Sequence, residues 1–315
     1  MVAMNKKHTV VLVIVGICLV IVGVVVGKFF VGDTKSTASN TDYPLLAKRL
    51  FVDNPNDTRI NFSPLRKQLN QYFTDNNLKG SLYFEYLPTG TSIRVNGDER
   101  YRAASLMKLP VAMELYKASE LGKVDLDSTV TLKKEWLNDG YGTLYSKGEG
   151  YQLSLRDAAR ILLEESDNTA LRAILDATDG KLETTDLALG SLDIEFTLNK
   201  DTSIDLGTRS YSSFFKCLYF ACYNNKADSQ EILNYLSNST FNNRLQAGIP
   251  DDSVTVAHKI GVFNTQVQSD CGIVYYDNGN YLVCVMLMGE DNETTNNQFK
   301  NISNVIYRFV SDNKQ

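Results

Sequence analysis

The sequence predicts an α+β domain in which one antiparallel sheet is assembled from the two ends of the chain, flanked by helices, with a helical lobe inserted between them. Near the beginning, residues 82–86 and 92–95 have the composition of two strands around a Pro-Thr-Gly turn. Near the end, residues 272–276 and 281–288 predict two stronger strands. Residues 105–235 between these pairs have a mostly helical pattern. We therefore expect a cleft between the sheet and the lobe.

The first apolar segment, residues 9–31, is long enough to cross a membrane. About 20 helical residues span a hydrocarbon layer of ~30 Å. Lys6 and Lys7 precede the segment, so the positive-inside rule places residues 1–8 in the cytoplasm. A cleaved signal peptide is the alternative, but the run is longer than a signal peptide needs and no good cleavage sequence follows it. We expect an uncleaved transmembrane anchor with the rest of the chain on the extracytoplasmic side.

A polar segment separates this anchor from the folded domain. Residues 32–59 are rich in Ser, Thr, Asn and Asp and have little periodic apolar pattern, which is typical of a flexible stem. The folded domain is therefore predicted to cover residues 60–315. Its first helix begins at Ser63-Pro64, because proline is favoured in a first helical turn, and it ends near Asn76-Asn77.

Apolar runs predict the later elements. Residues 108–121 and 155–163 are runs that predict buried helices, and residues 254–260 are β-rich. The segment Asp277-Asn-Gly-Asn280 predicts a turn between the last two strands. A final helix is expected over residues 293–310.

Composition and charge narrow the class of protein. The chain has 315 residues, of which 43% are hydrophobic and 10% aromatic, enough for a large buried core. The net charge of -5 has the wrong sign for gripping phosphates, and no basic stripe interleaved with aromatics is present, which argues against a nucleic-acid partner. The two histidines, His8 and His258, are too few for a metal cluster, and no cofactor is expected.

Four cysteines lie in the predicted domain, and we expect them to be free buried thiols. Cys217 and Cys222 fall five apart in a predicted helix, which is too far for easy bridging. Cys271 and Cys284 lie on neighbouring strands. If Asn278-Gly279 centres the turn, Cys284 is only diagonal to Cys271, and a disulfide there would need backbone movement.

Three short motifs occur in one order along the chain. They are an S-x-x-K motif at Ser105-Leu-Met-Lys108, an S-D-N motif at Ser166-Asp-Asn168 and a K-x-G motif at Lys259-Ile-Gly261. Each motif alone would say little, because Ser213-Phe-Phe-Lys216 also fits S-x-x-K and Ser311-Asp-Asn313 repeats S-D-N. The order of the three motifs and their places at the ends of predicted elements indicate a serine acyl-transfer site.

With these motifs and their flanks, such as Ala103-Ala-Ser-Leu-Met-Lys-Leu-Pro-Val111, the sequence resembles the penicillin-recognising serine hydrolases, and within them the class A β-lactamases. The resemblance implies the β-lactamase/transpeptidase-like fold. It also implies a Ser105 acyl-enzyme formed with a β-lactam or a D-alanyl peptide.

The residue types fit this chemistry. Residues three apart on a helix have Cβ atoms about 5 to 6 Å apart, so Ser105 and Lys108 can share a hydrogen bond. The backbone N–H of Ser105 can donate to an oxyanion. Lys108 must be neutral to accept the serine proton, and burial together with a second ammonium, from Lys259, would lower its pKa toward that state.

The resemblance assigns further roles. It places the second oxyanion donor on Val262, which follows Gly261 of the K-x-G motif. Ser166 would pass a proton to the leaving nitrogen, and Asn168 would hold the amide of the substrate. Tyr141 could border the cleft, or it could be an exposed loop tyrosine.

Two departures from the family pattern stand out. The class A branch carries a catalytic glutamate in an E-x-x-L-N loop after S-D-N, and we expect this loop to be missing, with residues 197–206 in its place. Asp201 or Asp205 could substitute for the glutamate, or they could be solvated loop charges or caps. Without this base the acyl-enzyme would hydrolyse slowly. Ile260 stands where the family has Thr or Ser, which puts recognition of a substrate carboxylate in doubt.

The leading hypothesis is a membrane-anchored, extracytoplasmic serine hydrolase that resembles class A β-lactamases and forms an acyl-enzyme with β-lactams. One alternative is a D-alanyl-D-alanine peptidase of cell-wall metabolism. The other is a non-catalytic module that senses penicillin or peptidoglycan.

Overall fold

The computed structural model describes residues 60–179, 182, 190, 192, 194–276 and 279–313. Asn54–Gln315 forms one compact unit. The predicted cytoplasmic segment, anchor and stem lie outside the described residues, so these three assignments stay predictions. Among the described residues, no helix combines the length and apolar character that a membrane span requires.

The centre of the domain is a five-stranded antiparallel sheet with the order β2-β1-β10-β9-β8. Its strands are β1 (Gly80–Tyr86), β2 (Thr91–Val95), β8 (Thr255–Phe263), β9 (Val267–Tyr275) and β10 (Tyr281–Met288). The first strand pairs directly with the last, with Leu82 opposite Val285. This pairing confirms that one sheet gathers both ends of the chain.

Helices cover both faces of the sheet. They are α1 (Ser63–Asp75), α2 (Lys108–Glu120), α3 (Leu155–Glu164), α4 (Asn168–Ala177), α5 (Thr208–Phe220), α6 (Lys226–Ser237) and α7 (Glu293–Asp312). Successive residues of a strand point to opposite faces. Val283 and Val285 therefore pack in one core with α1 and α7, while Cys284 and Met286 belong to the other core, with α2 to α6.

The inserted lobe is mostly helical, as predicted, but it also contains two small sheets. These sheets are formed by β3 (Tyr101–Arg102) with β6 (Phe196–Leu198) and β7 (Ile204–Leu206), and by β4 (Thr129–Thr131) with β5 (Gln152–Ser154). The prediction of an all-helical lobe is therefore too simple. The first small sheet ends directly before the 3₁₀ turn that contains Ser105, and it fixes the start of that turn.

The predicted free thiols are wrong for the helical pair of cysteines. Helix α5 ends at Phe220, and Ala221 adopts a left-handed conformation with φ 49°. The chain then folds back, and the N–H of Cys222 donates to the carbonyl oxygen of Cys217 at 2.9 Å. Cys217 and Cys222 form a disulfide with a Cα–Cα distance of 5.0 Å. A regular helix would have kept the two residues apart, so the helix end makes this disulfide possible.

The prediction is also wrong for the cysteines of the sheet, because the turn was assigned at the wrong residues. Tyr281 pairs with Val274, and this register sets Cys284 directly opposite Cys271. The two residues form a disulfide, with their Cα atoms 3.9 Å apart. Directly opposed residues need no backbone movement to be bridged, whereas diagonal residues do.

Candidate active site

The nucleophile candidate, Ser105, lies in a 3₁₀ turn, Ala104–Met107, which runs directly into α2. Ala104 has φ 45°, a left-handed conformation that costs energy in any residue with a Cβ. The buried Tyr211 hydroxyl donates to the carbonyl oxygen of Leu106 at 2.9 Å and holds the turn in place. Ser105 itself is half-buried, so its hydroxyl is presented at the surface of a fixed turn.

The K-x-G strand packs closely against this turn because it contains a glycine. A Cβ atom at Gly261 would lie 2.8 Å from Cγ of Leu106 and 3.1 Å from the carbonyl oxygen of Ala103. Any larger residue would push β8 away from the turn. The strand extends to Phe263, three residues beyond the predicted end, so Lys259 and Val262 both lie within regular β-structure.

Lys108 connects the first motif to the second. The residue is 3% exposed, and its ammonium donates to the carbonyl oxygen of Ser166, to Oγ of Ser166 at 3.3 Å and to Oδ1 of Asn168 at 2.7 Å. The predicted hydrogen bond between Lys108 and Ser105 is absent from the described part of the chain. The ammonium faces the S-D-N motif instead, where two oxygens of Ser166 and one of Asn168 surround it.

The S-D-N motif is held in a tight connection between α3 and α4. Ser166 adopts a left-handed conformation with φ 53°. The buried Asp167 carboxylate caps α4 by accepting from the N–H of Ala170 at 2.7 Å, and it accepts from Leu144 at 2.9 Å. A Cβ at Gly142 would lie 2.0 Å from Oδ2 of Asp167, so the loop that contains Gly142 can pack here only without a side chain. The loop and the motif therefore fix each other.

The same loop places Tyr141 beside the site. The N–H of Asn168 donates to the carbonyl oxygen of Tyr141 at 3.0 Å, and Nδ2 of Asn168 donates to Oδ1 of Asn138 at 2.9 Å. The ring of Tyr141 is half-buried and lies 6.2 Å from the ring of Phe241. Tyr141 is thus packed between the S-D-N motif and the segment that precedes β8.

Lys259 is 1% exposed, in the middle of β8. Within the described residues its ammonium makes a single hydrogen bond, to the carbonyl oxygen of Ile260 at 3.2 Å. It also lies 6.0 Å from the centre of the Phe241 ring. Gly261, two residues further along β8, packs against Leu106 of the Ser105 turn, so the first and third motifs lie close together.

Burial changes the acid-base properties of both lysines. Burial lowers the pKa of Lys108 to about 8, and the charge of Asp167 opposes this change. Burial, followed by repulsion from Lys108, holds the pKa of Lys259 well below its ordinary value. An amine whose pKa is about 8 is partly neutral near neutral pH, so Lys108 can accept a proton there.

The two aspartates that could replace the family glutamate are engaged elsewhere. The guanidinium of Arg102 donates to Asp205 at 3.0 Å and to Asp201 at 2.9 Å. Hydrogen bonds from Ser203 and Arg102 lower the pKa of Asp201 to about 2, which makes it a poor proton acceptor. Both carboxylates hold the β6-β7 hairpin to β3, as structural ion pairs.

Glu195 is a further candidate for the family glutamate. The segment Glu195-Phe-Thr-Leu-Asn199 has the E-x-x-L-N pattern after the S-D-N motif, so the expectation that this pattern is missing is wrong. The pattern is visible in the sequence itself. In the structure, however, Glu195 precedes β6 and its carboxylate accepts from Arg100 at 2.9 Å, with 78% of the side chain exposed. An exposed ion pair at a hairpin differs from a buried base beside a nucleophile.

The family is decided by a comparison with known proteins. A model of the β-lactamase enzyme family matches residues 64–310, most of the described domain. The chain belongs to this family. It is 26% identical over 208 residues to a β-lactamase of Proteus vulgaris, a match that covers 62% of this chain and 69% of that protein. The protein is accordingly a β-lactamase-like serine hydrolase.

Solved structures of the family have the same fold. A variant of PBP-A, solved as an acyl-enzyme complex with penicillin G, matches with a TM-score of 0.71 and 24% identity, over 79% of this chain and 97% of that one. A β-lactamase from Sphaerobacter thermophilus matches with a TM-score of 0.70 and 20% identity, over 80% and 98%. At this identity the two structures show the shared architecture of sheet and lobe.

Proposed function

We propose that the protein forms an acyl-enzyme with β-lactams through Ser105 and releases it slowly. The observation that supports this most is the contact of Lys108 with Ser166 and Asn168, because it joins two of the three motifs into one polar site. The family match makes β-lactams the first substrate class to test. The β-lactam is the expected partner of the site.

In the acylation step, Oγ of Ser105 attacks the lactam carbonyl carbon while neutral Lys108 takes the hydroxyl proton. Lys108 has to turn from Ser166 toward Ser105, a rotation its flexible side chain allows at a spacing of three residues. The N–H groups of Ser105 and Val262 donate to the oxyanion. The lactam C–N bond then breaks, and Ser166 passes a proton to the nitrogen, with Lys108 resupplying Ser166.

Asn168, Gly261 and Tyr141 would bind the substrate. The side-chain oxygen of Asn168 accepts from Lys108, and Gly261 allows the strand to lie next to the nucleophile turn. Lys259 would raise the positive potential around the acyl group.

Release of the acyl group is proposed to be slow because the three carboxylates considered as bases for activating water are engaged by arginines. Asp201 and Asp205 bind Arg102, and Glu195 binds Arg100. Loss of a general base typically slows a reaction by about 10² to 10⁴. The protein would therefore retain penicillin for longer than an efficient β-lactamase does.

We further propose that residues 9–31 anchor the protein in the membrane and that the folded domain lies on the extracytoplasmic side. Two disulfides support this location, since disulfides form and persist in oxidising compartments and are rare in the cytosol. A protease added to intact cells should remove the domain, whereas protection until lysis would contradict the proposal.

A fluorescent penicillin tests the acyl-enzyme. The unaltered protein should be labelled, Ser105→Ala should not, and Ser213→Ala should be labelled normally. The serine of the second S-x-x-K pattern, Ser213, is the matched control. Equal labelling of Ser105→Ala would refute the assignment, and no labelling of any form would favour the sensor module. Comparison of nitrocefin turnover with D-alanine release from a stem peptide then separates β-lactamase from peptidase activity.

A further inference from the structure

Lys259 is the cation that the K-x-G motif offers to a substrate carboxylate, yet the structure covers it. Its side chain is 1% exposed, and its ammonium lies 6.0 Å from the centre of the Phe241 ring. In the described part of the chain, its hydrogen bonding is limited to the carbonyl oxygen of Ile260. Phe241 is the aromatic side chain that lies beside this buried ammonium.

Phe241 is held by contacts on two sides. Its ring lies 6.2 Å from the ring of Tyr141, which the S-D-N side of the site positions. The preceding residue, Thr240, donates its N–H to the carbonyl oxygen of Glu164 at 3.0 Å, and the N–H of Phe241 donates to Oγ of Ser239 at 3.4 Å. The rings of Tyr141 and Phe241 therefore lie side by side between the loop that packs on the S-D-N motif and the ammonium of Lys259.

Neighbouring features do not replace Lys259 as a carboxylate ligand. Ile260, which follows it, has no hydroxyl to donate. Arg244 acts electrostatically on Lys259, but it is 1% exposed and its guanidinium donates to Asp291 at 2.9 Å and to the carbonyl oxygen of Ser269 at 2.8 Å. Lys259 and Arg244 are thus both enclosed by protein.

We propose that Phe241 determines specificity by covering Lys259, so that the site accepts acyl donors whose leaving part carries no carboxylate about as well as those that carry one. The substrate class includes neutral amides and lactams. This proposal depends on the proposed acylation of Ser105. The chemistry is unchanged: the Ser105 Oγ–carbonyl bond forms, the C–N bond breaks and the nitrogen takes the proton. Burial and repulsion from Lys108 keep the pKa of Lys259 low, although the charge of Asp270 opposes this change.

The first measurement does not depend on acylation of Ser105, so it tests by itself whether Phe241 covers Lys259. A pulse of acetic anhydride on the full chain, followed by peptide mass spectrometry, reports how fast each lysine amine reacts. Lys259 should react at least about tenfold more slowly than exposed Lys67, although its lowered pKa would make an accessible amine react faster. Phe241→Ala should remove most of this protection. Tyr151→Ala, which removes an exposed ring 5.6 Å from Lys147, should leave it unchanged.

The second measurement compares penicillin G with its methyl ester as acyl donors. The unaltered protein should react with both at rates within about threefold of each other, and Phe241→Ala should favour the free acid by about tenfold, as a charge-assisted hydrogen bond allows. A preference of about thirtyfold for the free acid in the unaltered protein would overturn the proposal. Fast acetylation of Lys259 would overturn it too. If neither compound reacts while Lys259 is protected, the acyl-enzyme assignment fails and the cover stands.

Discussion

The two motif lysines are buried to a similar degree, but their surroundings differ. Lys108 donates to two oxygens of Ser166 and one of Asn168. Lys259 has a main-chain oxygen and the face of Phe241 near its ammonium. Burial lowers the pKa of both. Burial makes a lysine a possible base, whereas its partners decide whether a proton can be passed on. Among the described residues, the ammonium of Lys108 donates to the hydroxyl of Ser166, and that of Lys259 donates to a carbonyl oxygen.

The largest expected effect comes from removing each amine in turn. Lys108→Met should slow acylation by fluorescent penicillin by about 10² to 10⁴, the usual contribution of a general base. Lys259→Met should slow it by no more than about tenfold, since a covered ammonium acts only through its field. The rates of labelling, measured by gel fluorescence over time, check both variants. Equal losses of labelling rate in the two variants would contradict the different roles assigned to the two lysines.

The pH dependence of acylation sharpens the same comparison. Lys108 has to be neutral, and its pKa is lowered to about 8, so the rate should rise with pH and level off above that value. Below it, each pH unit should change the rate about tenfold. A rate that stays flat from roughly pH 6 to roughly pH 9 would exclude Lys108 as the base.

The stability of the fold should change with pH in a matching way. The pKa of Lys108 in the folded protein lies below the ordinary value of 10.5, so the unfolded chain binds more protons between about pH 8 and 10.5. The free energy of unfolding should therefore rise with pH through this window. Urea unfolding of Lys108→Met should show a smaller rise than that of the unaltered protein.

A smaller effect concerns how the segments that carry the two lysines are brought together. Gly261→Ala places a Cβ 2.8 Å from Leu106 and should destabilise the fold by about 1 to 3 kcal/mol, as overpacking does. Gly190→Ala is the matched control, because Gly190 is exposed and its added Cβ would meet no described atom within 4 Å. Thermal unfolding and labelling rates check the pair. If Gly261→Ala behaves like Gly190→Ala, the close approach of β8 is not required.

The sequence predicted the parts of this molecule that depend on pattern and order. The sheet strands, α1 and α7 follow from apolar periodicity, and the three motifs mark the segments that meet. The two disulfides could not be predicted, because one depends on the left-handed Ala221 and the other on a strand register. The partners of Lys108 were also missed, since helix spacing favours Ser105 over a distant loop.

The position of Phe241 beside Lys259 could not be predicted from the sequence either. It lies in a polar segment after α6 with no periodic pattern, and only the fold brings its ring over Lys259. Glu195 shows the opposite case, because its motif was present and the structure gives it a different environment. A motif therefore identifies residues, and the surrounding hydrogen bonds decide what they can do.

The smallest expected effect belongs to Glu195. Glu195→Gln should change the lifetime of the acyl-enzyme by less than about threefold, because the carboxylate is exposed and bound to Arg100. A working deacylation base would instead slow release by about 10² to 10⁴ when removed. Fluorescence lost from the labelled protein, after excess unlabelled penicillin is added, measures the lifetime. A large slowing would mean that Glu195 leaves Arg100 during turnover.

The acyl-enzyme itself is tested most directly by an intact-mass time course of the full chain with penicillin G, followed by peptide mapping. We predict one penicillin per chain, attached to the peptide that contains Ser105, formed with an observed rate much faster than its loss. An adduct elsewhere, or none at any practical penicillin concentration, would contradict the assignment of Ser105 as the acylated nucleophile.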